Sequence, residues 1–420
     1  MTGERPNAAA ISIQRTTLYQ CLNLARKKLT ARQLRWALGH PLFAAIPTLR
    51  RRYSIATQAI DIRNVSELVH ESRTETRIEL SPPLVAYFRR FAIQSGCTVD
   101  GTTLVLPYQL LIFRARPAAQ LAHTGALIDL ATGAAIDLTG AARKVDALTA
   151  KNNFRPFLFR NFVRIPGPAF SLLPAWNAHQ NFAHFILERF RLLLAALEAV
   201  PALRTGTVIM RDTIPPFQRA ALDQLTQRYP GLKLREVGPD VRLEFAALHV
   251  PVEPEDHGLT WFARPGQIHA VRDIYRDAYG LTQSNSVPGS GHRLYLSRNR
   301  QKLRRVLNED AVISCLVARG FAFVQPELLA HRDQAQLFQA ATDIVTPSGS
   351  AITNIIFCEP GTRLVLTGPI DVHEPFWVGL ALAMGLDFTF IPGSPAGLRL
   401  AFTVEPAALT RALDGNPARI

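Results

Sequence analysis

Five positively charged side chains crowd one short segment in the second half of the sequence. They are Arg298, Arg300, Lys302, Arg304 and Arg305. The preceding run His292–Ser297 predicts a β-strand, and the following run Asn308–Arg319 predicts a helix that begins with an asparagine cap. Guanidinium groups bind phosphate oxygens in pairs, and a helix N-terminus favours an anion. The segment is therefore a candidate phosphate site, and a solvated basic loop is the alternative.

A second candidate for phosphate is the turn Thr346–Ser350, with the sequence T-P-S-G-S. It connects a predicted strand to a predicted helix. Gly349 lets the backbone approach a ligand, and Ser350 begins the helix, which is a geometry that suits phosphate. The spacing matches neither a Walker A loop nor G-x-G-x-x-G, so an ordinary strand-to-helix turn is the alternative.

A histidine and a glutamate four residues apart form the candidate acid–base pair. His184 and Glu188 lie in a long helix that the apolar spacing predicts between residues 177 and 200. Asn181 and Arg191 are expected on the same polar face of that helix. A carboxylate four residues away can orient an imidazole and raise its basicity. A surface ion cluster is the alternative.

The elements that must position the basic segment and the turn alternate regularly along the second half. Strands are predicted at residues 292–297, 321–324, 343–346 and 364–367, and helices at residues 308–319, 332–341 and 350–357. Such β-α alternation with short connections predicts a parallel sheet with helices on its faces. Ligands bind at the carboxyl ends of the strands in these sheets. The loops to inspect are therefore 298–307, 325–331, 347–350 and 368–375.

The first half is less regular. Short strands are predicted at residues 77–80, 103–106, 110–115 and 207–210, and helices at residues 217–228 and 266–279. A Gly- and Ser-containing stretch at residues 280–291 predicts a linker to the second half.

The composition is that of a globular protein of two or three domains. The chain has 420 residues, of which 48% are hydrophobic and 19% charged, which excludes disordered, collagenous and coiled-coil classes. The longest apolar run, Phe376–Leu386, is shorter than the ~18 residues of a membrane span. The first residues carry no apolar signal core, and the four cysteines form no C-x-x-C pair. These features predict a cytoplasmic protein.

Most of the net charge of +14 lies near the N-terminus. Residues 1–55 contain ten basic residues and one acidic residue, which gives this arm a charge of +9. The stretch Thr17–Leu38 has leucines at helical spacing among its basic residues, which predicts a basic amphipathic helix. Such an arm attracts an anionic membrane surface, which favours a peripheral position on the inner face of the cell membrane. A solvated helix docked on the body is the alternative.

Four stretches occur in a fixed order between about residues 150 and 370: W-N-A-H-Q-N-F-A-H-F-I-L-E-R-F-R-L-L, R-D-T-I-P-P-F-Q, L-Y-L-S-R-N-R-Q-K-L-R-R-V-L-N-E-D and D-I-V-T-P-S-G-S-A-I-T-N-I-I-F. Together they resemble glycosyltransferase family 61, which includes bacterial proteins of capsular polysaccharide synthesis. The resemblance implies an α/β, GT-B-like architecture of two Rossmann-like domains facing a cleft. The basic helical arm 1–55 would precede an acceptor-side domain at 56–280 with a β-rich lead-in, and a donor domain at 281–420 would follow.

The resemblance also implies a reaction. It implies a hexosyl- or pentosyltransferase that moves a sugar, with inversion, from a nucleotide sugar to a hydroxyl of a glycan acceptor. The donor is most often a UDP-sugar, and the product belongs to capsular or other surface polysaccharide. A lipid-linked glycan is one candidate for the acceptor. The sequence contains no Asp-x-Asp pair. We therefore expect no metal and no cofactor, with cations and helix ends neutralising the pyrophosphate instead.

Site residues follow from position in these stretches and from the candidates above. The expected donor-binding residues are Arg298, Arg305, Asn308, Glu309, Gln334, Gly349, Ser350 and Asn354. Gln334 has the alternative role of capping its own helix, and Asn354 that of tying down its turn. The family usually has histidine where this sequence has Ser348, which puts a donor contact by an imidazole in doubt.

The base should come from the acceptor-side half. His184 is the first candidate, Glu188 is its orienter or rival, and Asp212 is the third candidate. Two other functions stay open. One is a nucleic-acid-binding protein, against which most of the net charge lies in one arm and no recognition motif occurs. The other is a catalytically inactive scaffold in a polysaccharide-assembly complex.

Overall fold

The computed structural model describes residues 59–137, 161–173, 181–254, 264–281, 292–369 and 375–414, apart from short gaps at 83, 87, 90–96, 116, 123–124 and 133–134. The predicted arm 1–55 and most of the predicted linker 280–291 lie outside the described residues. Among the described helices, none has the length and apolar content needed to cross a membrane.

The first half of the described chain forms one mixed sheet. Its strands are β1 Ala59–Asp61, β2 Ser66–Glu79, β3 Thr98–Asp100, β4 Thr103–Ala115, β5 Ala118–Leu121, β6 Leu127–Asp129, β7 Ala135–Asp137, β8 Asn161–Ser171, β9 Thr207–Arg211, β10 Lys233–Val237 and β11 Val241–Val252. Strands β10, β9, β8 and β11 are parallel neighbours in that order. Strands β4 and β5 pair antiparallel with β11 and extend the sheet into the β-rich lead-in.

The helices that accompany this sheet include α1 Ile62–Val65, α2 Phe182–Ala199, α3 Pro216–Arg228 and α4 Pro265–Tyr279, with a 3₁₀ turn at Pro201–Thr205. Helix α2 begins at Asn181, whose side chain accepts a hydrogen bond from the backbone N–H of His184. It is α-helical over Phe182–His184, π-helical over Phe185–Phe190 and α-helical again over Arg191–Ala199. The predicted helix therefore exists, but it contains one wide turn that a regular 3.6-residue repeat does not anticipate.

The second half forms a sheet that is parallel except at one edge. Its strands are β12 His292–Leu296, β13 Phe321–Val324, β14 Ala341–Pro347, β15 Arg363–Pro369, β16 Asp387–Pro395 and β17 Phe402–Thr403. The spatial order is β13-β12-β14-β15-β16-β17, and only β17 pairs antiparallel. The predicted parallel β-α alternation is confirmed.

Helices cover both faces of this second sheet. They are α5 Glu309–Val317, α6 His331–Gln339, α7 Pro375–Ala383 and α8 Pro406–Asp414, with 3₁₀ helices at Pro326–Leu328 and Ser350–Phe357. Alternate strand residues point to opposite faces, so Leu294 packs with α6, α7 and helix 350–357, whereas Tyr295 packs with α5 and α8. The helix after β12 therefore lies on one face of the sheet, and the helix after β13 lies on the other. The spatial order of the strands reverses between β12 and β14. That reversal is the topological switch point at which doubly wound sheets bind ligands.

One hydrophobic core crosses the predicted boundary near residue 280. The same cluster of buried residues contains Ile268 and Tyr275 from α4 and Ile352 and Phe357 from the 3₁₀ helix of the second half. The predicted α/β class with parallel strands is confirmed. The two-domain GT-B arrangement stays a prediction.

Candidate active site

The two segments chosen from the sequence as phosphate sites meet at the switch point. Arg298 begins the loop after β12, and Gly349 lies in the turn after β14. A β-carbon at Gly349 would overlap the Arg298 guanidinium, whose Nη1, Cζ and Nε are its nearest neighbours. The backbone of Gly349 is extended, with φ at 170°, so its torsion angles suit any residue. A larger residue there would displace the guanidinium, which lies directly on the α-carbon of Gly349.

Ser348, beside this contact, has a buried side chain. It is 3% exposed, and its backbone N–H donates to the carbonyl of Thr367 at 2.9 Å. The hydroxyl oxygen has no hydrogen-bond partner among the described residues. Leaving a buried hydroxyl unpaired costs about 1–3 kcal/mol. The carboxyl end of β14 therefore holds a polar atom that a bound ligand could satisfy.

The rest of the basic loop turns away along the sheet edge. Arg300, Lys302 and Arg305 are exposed. The carbonyl of Arg305 accepts from the backbone N–H of Phe402 at 3.0 Å, which fixes its backbone while its side chain remains in solvent. Of the five cations, Arg298 is the one whose guanidinium the structure places on Gly349.

Asn308 and Glu309 have partners inside the second half. The amide of Asn308 donates to the carbonyl of Val404 at 2.8 Å, and its oxygen accepts from the N–H of Val404 at 3.0 Å. The predicted asparagine cap is therefore wrong in its contact: Asn308 occupies the N-cap position, but its side chain makes no capping bond. Glu309 is buried and accepts from the hydroxyl of Tyr295 at 2.9 Å. Their predicted donor contacts stay predictions, and these bonds favour a supporting role.

Gln334 and Asn354 bond to each other. Nδ2 of Asn354 donates to Oε1 of Gln334 at 2.8 Å and to the carbonyl of Ala351 at 3.2 Å. Nε2 of Gln334 donates to the carbonyls of Pro326 at 2.8 Å and Leu329 at 3.2 Å. Because a backbone carbonyl only accepts, these contacts fix which end of each amide carries the nitrogen. Asn354 thus ties down its own turn, and Gln334 bonds the residues that precede its helix.

The fixed amides determine the protonation pattern of a partly buried histidine. Nε2 of His331 lies 3.2 Å from Oδ1 of Asn354, an acceptor, so Nε2 carries the hydrogen. Nδ1 is then the acceptor for the hydroxyl of Tyr279, 2.6 Å away. Burial lowers the pKa of His331 to about 4. His331 is therefore a neutral link between α4 and the turn after β14.

Aromatic rings from both halves surround that imidazole. Phe182 from α2, Phe217 from α3 and Tyr275 from α4 contact it with ring centroids 4.7, 5.8 and 5.0 Å away, and Phe357 lies at 5.8 Å. The start of α2 also packs against helix 350–357. The element that carries the candidate base therefore contacts the element that follows the candidate phosphate turn.

His184 and Glu188 form the predicted pair. Nδ1 of His184 lies 2.7 Å from Oε1 of Glu188, and each side chain is about one third exposed. The hydrogen bond to Glu188 raises the pKa of His184 despite partial burial, which acts in the opposite direction. With Nδ1 bonded to the carboxylate, Nε2 is the nitrogen that is placed to accept a proton.

The prediction that Arg191 shares this polar face is wrong. Its side chain is completely buried and forms a bidentate ion pair with Glu253, with both N–O distances at 2.8 Å. Nη1 also donates to Gln267, and Nε donates to the carbonyl of Leu187 at 2.8 Å. The prediction assumed a regular helix, but the π-helical turn takes more residues per turn and rotates Arg191 inward.

The Arg191 side chain supports the wide turn. The backbone N–H of Arg191 bonds to the carbonyl of Ile186, five residues back, rather than to that of Leu187. The guanidinium then supplies a donor to the Leu187 carbonyl. Because the ion pair with Glu253 fixes the other end of the guanidinium, the turn that carries Glu188 is anchored to the end of β11.

Asp212, the third candidate base, lies immediately after β9 and is exposed. Its Oδ2 faces Gly238, which follows β10. No cluster of three or more histidine, cysteine or carboxylate side chains is arranged to hold a metal within the described residues. Glu255, Asp256 and His257, which follow Glu253 closely in the sequence, lie outside the described residues.

Comparison with known proteins bears on the predicted family. Residues 182–365 match the family model named Glycosyltransferase 61. These residues form a glycosyltransferase family 61 domain. The prediction of this family, and of a glycosyltransferase, is confirmed. Every candidate site residue from His184 to Asn354 lies within the matched range.

The other comparisons add little to the glycosyltransferase assignment. The search of curated proteins gives no match. Among solved structures, the chain is similar to the bacterial iron-containing dodecameric glycosyltransferase TibC from enterotoxigenic E. coli H10407. The identity is 9%, the match covers 63% of this chain and 78% of that chain, and the TM-score is 0.26. A likeness at that TM-score carries no argument about this glycosyltransferase.

Two parts of the glycosyltransferase site are absent from the sequence-based predictions. The Arg191–Glu253 ion pair joins residues 62 positions apart, and His331 directly precedes the helix predicted at residues 332–341. A charged residue in the middle of an otherwise apolar stretch, Arg191 between Phe190 and Leu192, was the available signal for the buried pair.

Proposed function

We propose that this glycosyltransferase moves a sugar, with inversion, from a UDP-sugar to a hydroxyl of a glycan acceptor in the synthesis of a capsule or another surface polysaccharide. The observation that carries the proposal is the contact of the Arg298 guanidinium with Gly349 at the switch point. This contact places the N–H donors of the guanidinium where a doubly wound sheet binds the phosphates of a nucleotide.

At the donor end, Arg298 would bind the pyrophosphate and neutralise the charge that develops on the leaving UDP. The Ser348 hydroxyl and the backbone at Ser350 supply further donors at the same edge. Arg305, whose side chain is exposed, would close over the donor once it is bound. Asn308, Glu309, Gln334 and Asn354 would hold the loops in place through their internal hydrogen bonds.

At the acceptor end, His184 would act as the base. Its Nε2 would take the proton of the acceptor hydroxyl as the oxygen attacks the anomeric carbon, and the bond from that carbon to the UDP oxygen would break on the opposite face. The bonding electrons leave with UDP, and the proton stays on His184. Glu188 stabilises the resulting imidazolium through its hydrogen bond to Nδ1.

In this proposal the first sheet with α2, α3 and α4 is the acceptor-side domain and the second sheet is the donor domain of a GT-B enzyme. The reversal of strand order between β12 and β14 supports the donor assignment. The protein would work in the cytoplasm, with the arm 1–55 on an anionic membrane and a lipid-linked glycan as the acceptor. It would need no metal ion, because cationic side chains replace one at the pyrophosphate.

The test is UDP binding by calorimetry and transfer from a panel of UDP-sugars, each with and without EDTA. Arg298→Ala should weaken UDP binding, and Arg298→Lys should restore it only in part, because an ammonium group lacks the fork geometry. Arg300→Ala, an exposed cation of the same loop, is the matched control and should bind UDP normally. Equal UDP affinity in the parent and these three variants would refute the donor site.

The EDTA arm of the assay tests the metal requirement. Loss of activity in EDTA that manganese restores would refute metal independence.

The inactive-scaffold alternative gives a different result in the same assay. A scaffold would bind UDP without transferring or hydrolysing any sugar of the panel, whereas a nucleic-acid-binding protein would show no specific UDP affinity.

A further inference from the structure

Two segments at the carboxyl edge of the second sheet lie side by side and present leucines and basic residues to solvent. We call residues 300–307 and 396–401 the edge patch. The backbone N–H of Arg304 donates to the carbonyl of Arg399 at 3.0 Å, and that of Leu307 donates to the carbonyl of Phe402 at 2.8 Å. A β-carbon at Gly397 would lie 3.8 Å from Cδ1 of Leu307. The two segments are therefore one surface.

The leucines of the edge patch are unusually exposed. Leu398 is 87% exposed, and Leu303, Leu307 and Leu400 are 49%, 50% and 47% exposed. A single exposed leucine needs no explanation, but four on two hydrogen-bonded segments form an apolar cluster of the kind that marks an interaction site. Arg399 and Leu400, next to Leu398, have φ angles of 62° and 60°. Residues other than glycine rarely adopt this left-handed backbone conformation, so the surrounding contacts hold residues 399 and 400 in an unfavourable conformation.

The cations of the edge patch are available to a partner. Arg300, Lys302 and Arg399 are exposed, and neither segment contains an acidic residue. None of these three side chains forms an ion pair with another described residue. The patch is therefore apolar and strongly cationic at the same time.

We propose that the edge patch docks on an anionic lipid bilayer, with the leucines around Leu398 entering the interface and the cations meeting the headgroups. A soluble polyanion would engage the cations and leave the leucines in water, and a protein partner has no need of so dense a positive charge. A bilayer with acidic headgroups satisfies both sets of side chains. The patch is separate from the arm 1–55, and the inference holds whatever sugar the enzyme transfers.

The position of the patch gives the inference a consequence for the reaction. Its first segment continues directly from Arg298, so the candidate donor site opens beside the docking surface. If the proposed transfer is correct, the acceptor hydroxyl is presented from the membrane plane. This consequence rests on the proposed function, whereas the docking itself does not.

A tryptophan introduced into the edge patch reports membrane contact of the patch itself. It distinguishes this contact from that of the arm 1–55, which remains present in the full-length chain. Leu398→Trp and the matched control Val317→Trp, at an exposed site at the far end of α5, are mixed with vesicles of phosphatidylcholine and phosphatidylglycerol that carry bromine on their acyl chains. We expect bromine to quench the added tryptophan of Leu398→Trp and not that of Val317→Trp. Equal quenching of the two added tryptophans would overturn the proposal.

Affinity measurements supply the second arm of the test. Leu398→Ser and Arg399→Glu should each weaken vesicle binding several-fold, by ~5-fold or more for each interfacial charge lost. Val317→Ser and the exposed Arg235→Glu are the controls and should bind as the parent does. Weakening by Arg399→Glu alone would point to a soluble polyanion and overturn the proposal. Loss of a dimer in Leu398→Ser, seen by sedimentation without any quenching in the first experiment, would point to a second copy of the chain and also overturn it.

Discussion

The two ends of the candidate site are held in different ways. The turn after β14 is held by its immediate surroundings: the Ser348 N–H bonds to Thr367 on the neighbouring strand, and Arg298 lies on Gly349. The wide turn of α2 is held by a buried guanidinium that reaches Glu253 and Gln267, far along the chain.

This difference determines how each end should respond to substitution. A turn in which a guanidinium lies directly on a glycine has no room for added side-chain atoms at that glycine. A site anchored by a buried ion pair fails when either partner is removed, because the remaining charge is left without compensation. The following substitutions test that contrast.

The largest effect is expected at the base. His184→Ala should lower turnover by about 10²–10⁴-fold, which is the range for a lost general base. UDP affinity and melting temperature should stay near the parent values, since Arg298 is on the other sheet. His292→Ala, an exposed histidine at the start of β12, is the control and should retain full turnover. A stable His184→Ala protein with normal turnover would transfer the role to Glu188 or Asp212.

The anchor of α2 should respond next most strongly. Arg191→Met removes one partner of a buried pair and should lower the free energy of unfolding by about 3–5 kcal/mol. Replacing Glu253 by Met in the same protein should recover part of the loss, because no buried charge then remains. Urea unfolding of the single and double variants measures both values. A double variant no more stable than Arg191→Met would show that the bond to the Leu187 carbonyl, rather than the ion pair, holds the turn.

Added atoms should damage the other end. Gly349→Ala must displace the Arg298 guanidinium, and the loss of one charge-assisted contact, about 1.5–3 kcal/mol, should weaken UDP binding by ~10–100-fold. Stability should change little, because the overlap is with the end of a flexible side chain. Gly266→Ala, whose β-carbon would meet nothing within 4 Å, is the control. Unchanged UDP affinity in Gly349→Ala would mean that the contact of the Arg298 guanidinium with Gly349 has no part in donor binding.

The smallest effect concerns pH. Because the hydrogen bond to Glu188 raises the pKa of His184, Glu188→Gln should lower that pKa and move the acidic limb of the rate profile to lower pH. A raised folded-state pKa contributes stability that is complete below the unfolded pKa of about 6.5 and is lost as pH rises through the folded value. The stability difference between parent and Glu188→Gln should therefore shrink with rising pH. A rate profile that loses its acidic limb in Glu188→Gln would make Glu188 itself the base.

Much of the turn after β14 could be predicted from the sequence because its determinants are local. Each strand, turn and helix of the second half is specified within about ten residues, and the position of Arg298 and Gly349 at the carboxyl edge follows from the parallel arrangement. That β12 and β14 are neighbours does not follow, because the spatial order of the strands is known only from the structure. What could not be predicted are the partners that the loop residues find elsewhere. Asn308 bonds to Val404, 96 positions away, and no spacing rule connects the two.

The α2 end was predicted less well, and for a physical reason. The hydrogen bond from His184 to Glu188 follows from a four-residue spacing that the structure preserves. Arg191 does not follow, because one π-helical turn changes the direction of every later side chain. Propensity and periodicity describe a regular helix, whereas this turn is stabilised by a tertiary contact that only the folded chain supplies.

The shared core has a consequence for how the chain melts. Tyr275 of α4 and Phe357 of the second half lie in one cluster, with ring centroids 6.1 Å apart, and Arg276 bonds to Glu359 at 2.9 Å. Neither sheet can lose its helices without exposing apolar surface of the other. A scanning calorimeter should therefore record a single heat-absorption peak, and a chain cut at residue 281 should yield two fragments that precipitate alone and stay in solution when they are refolded together.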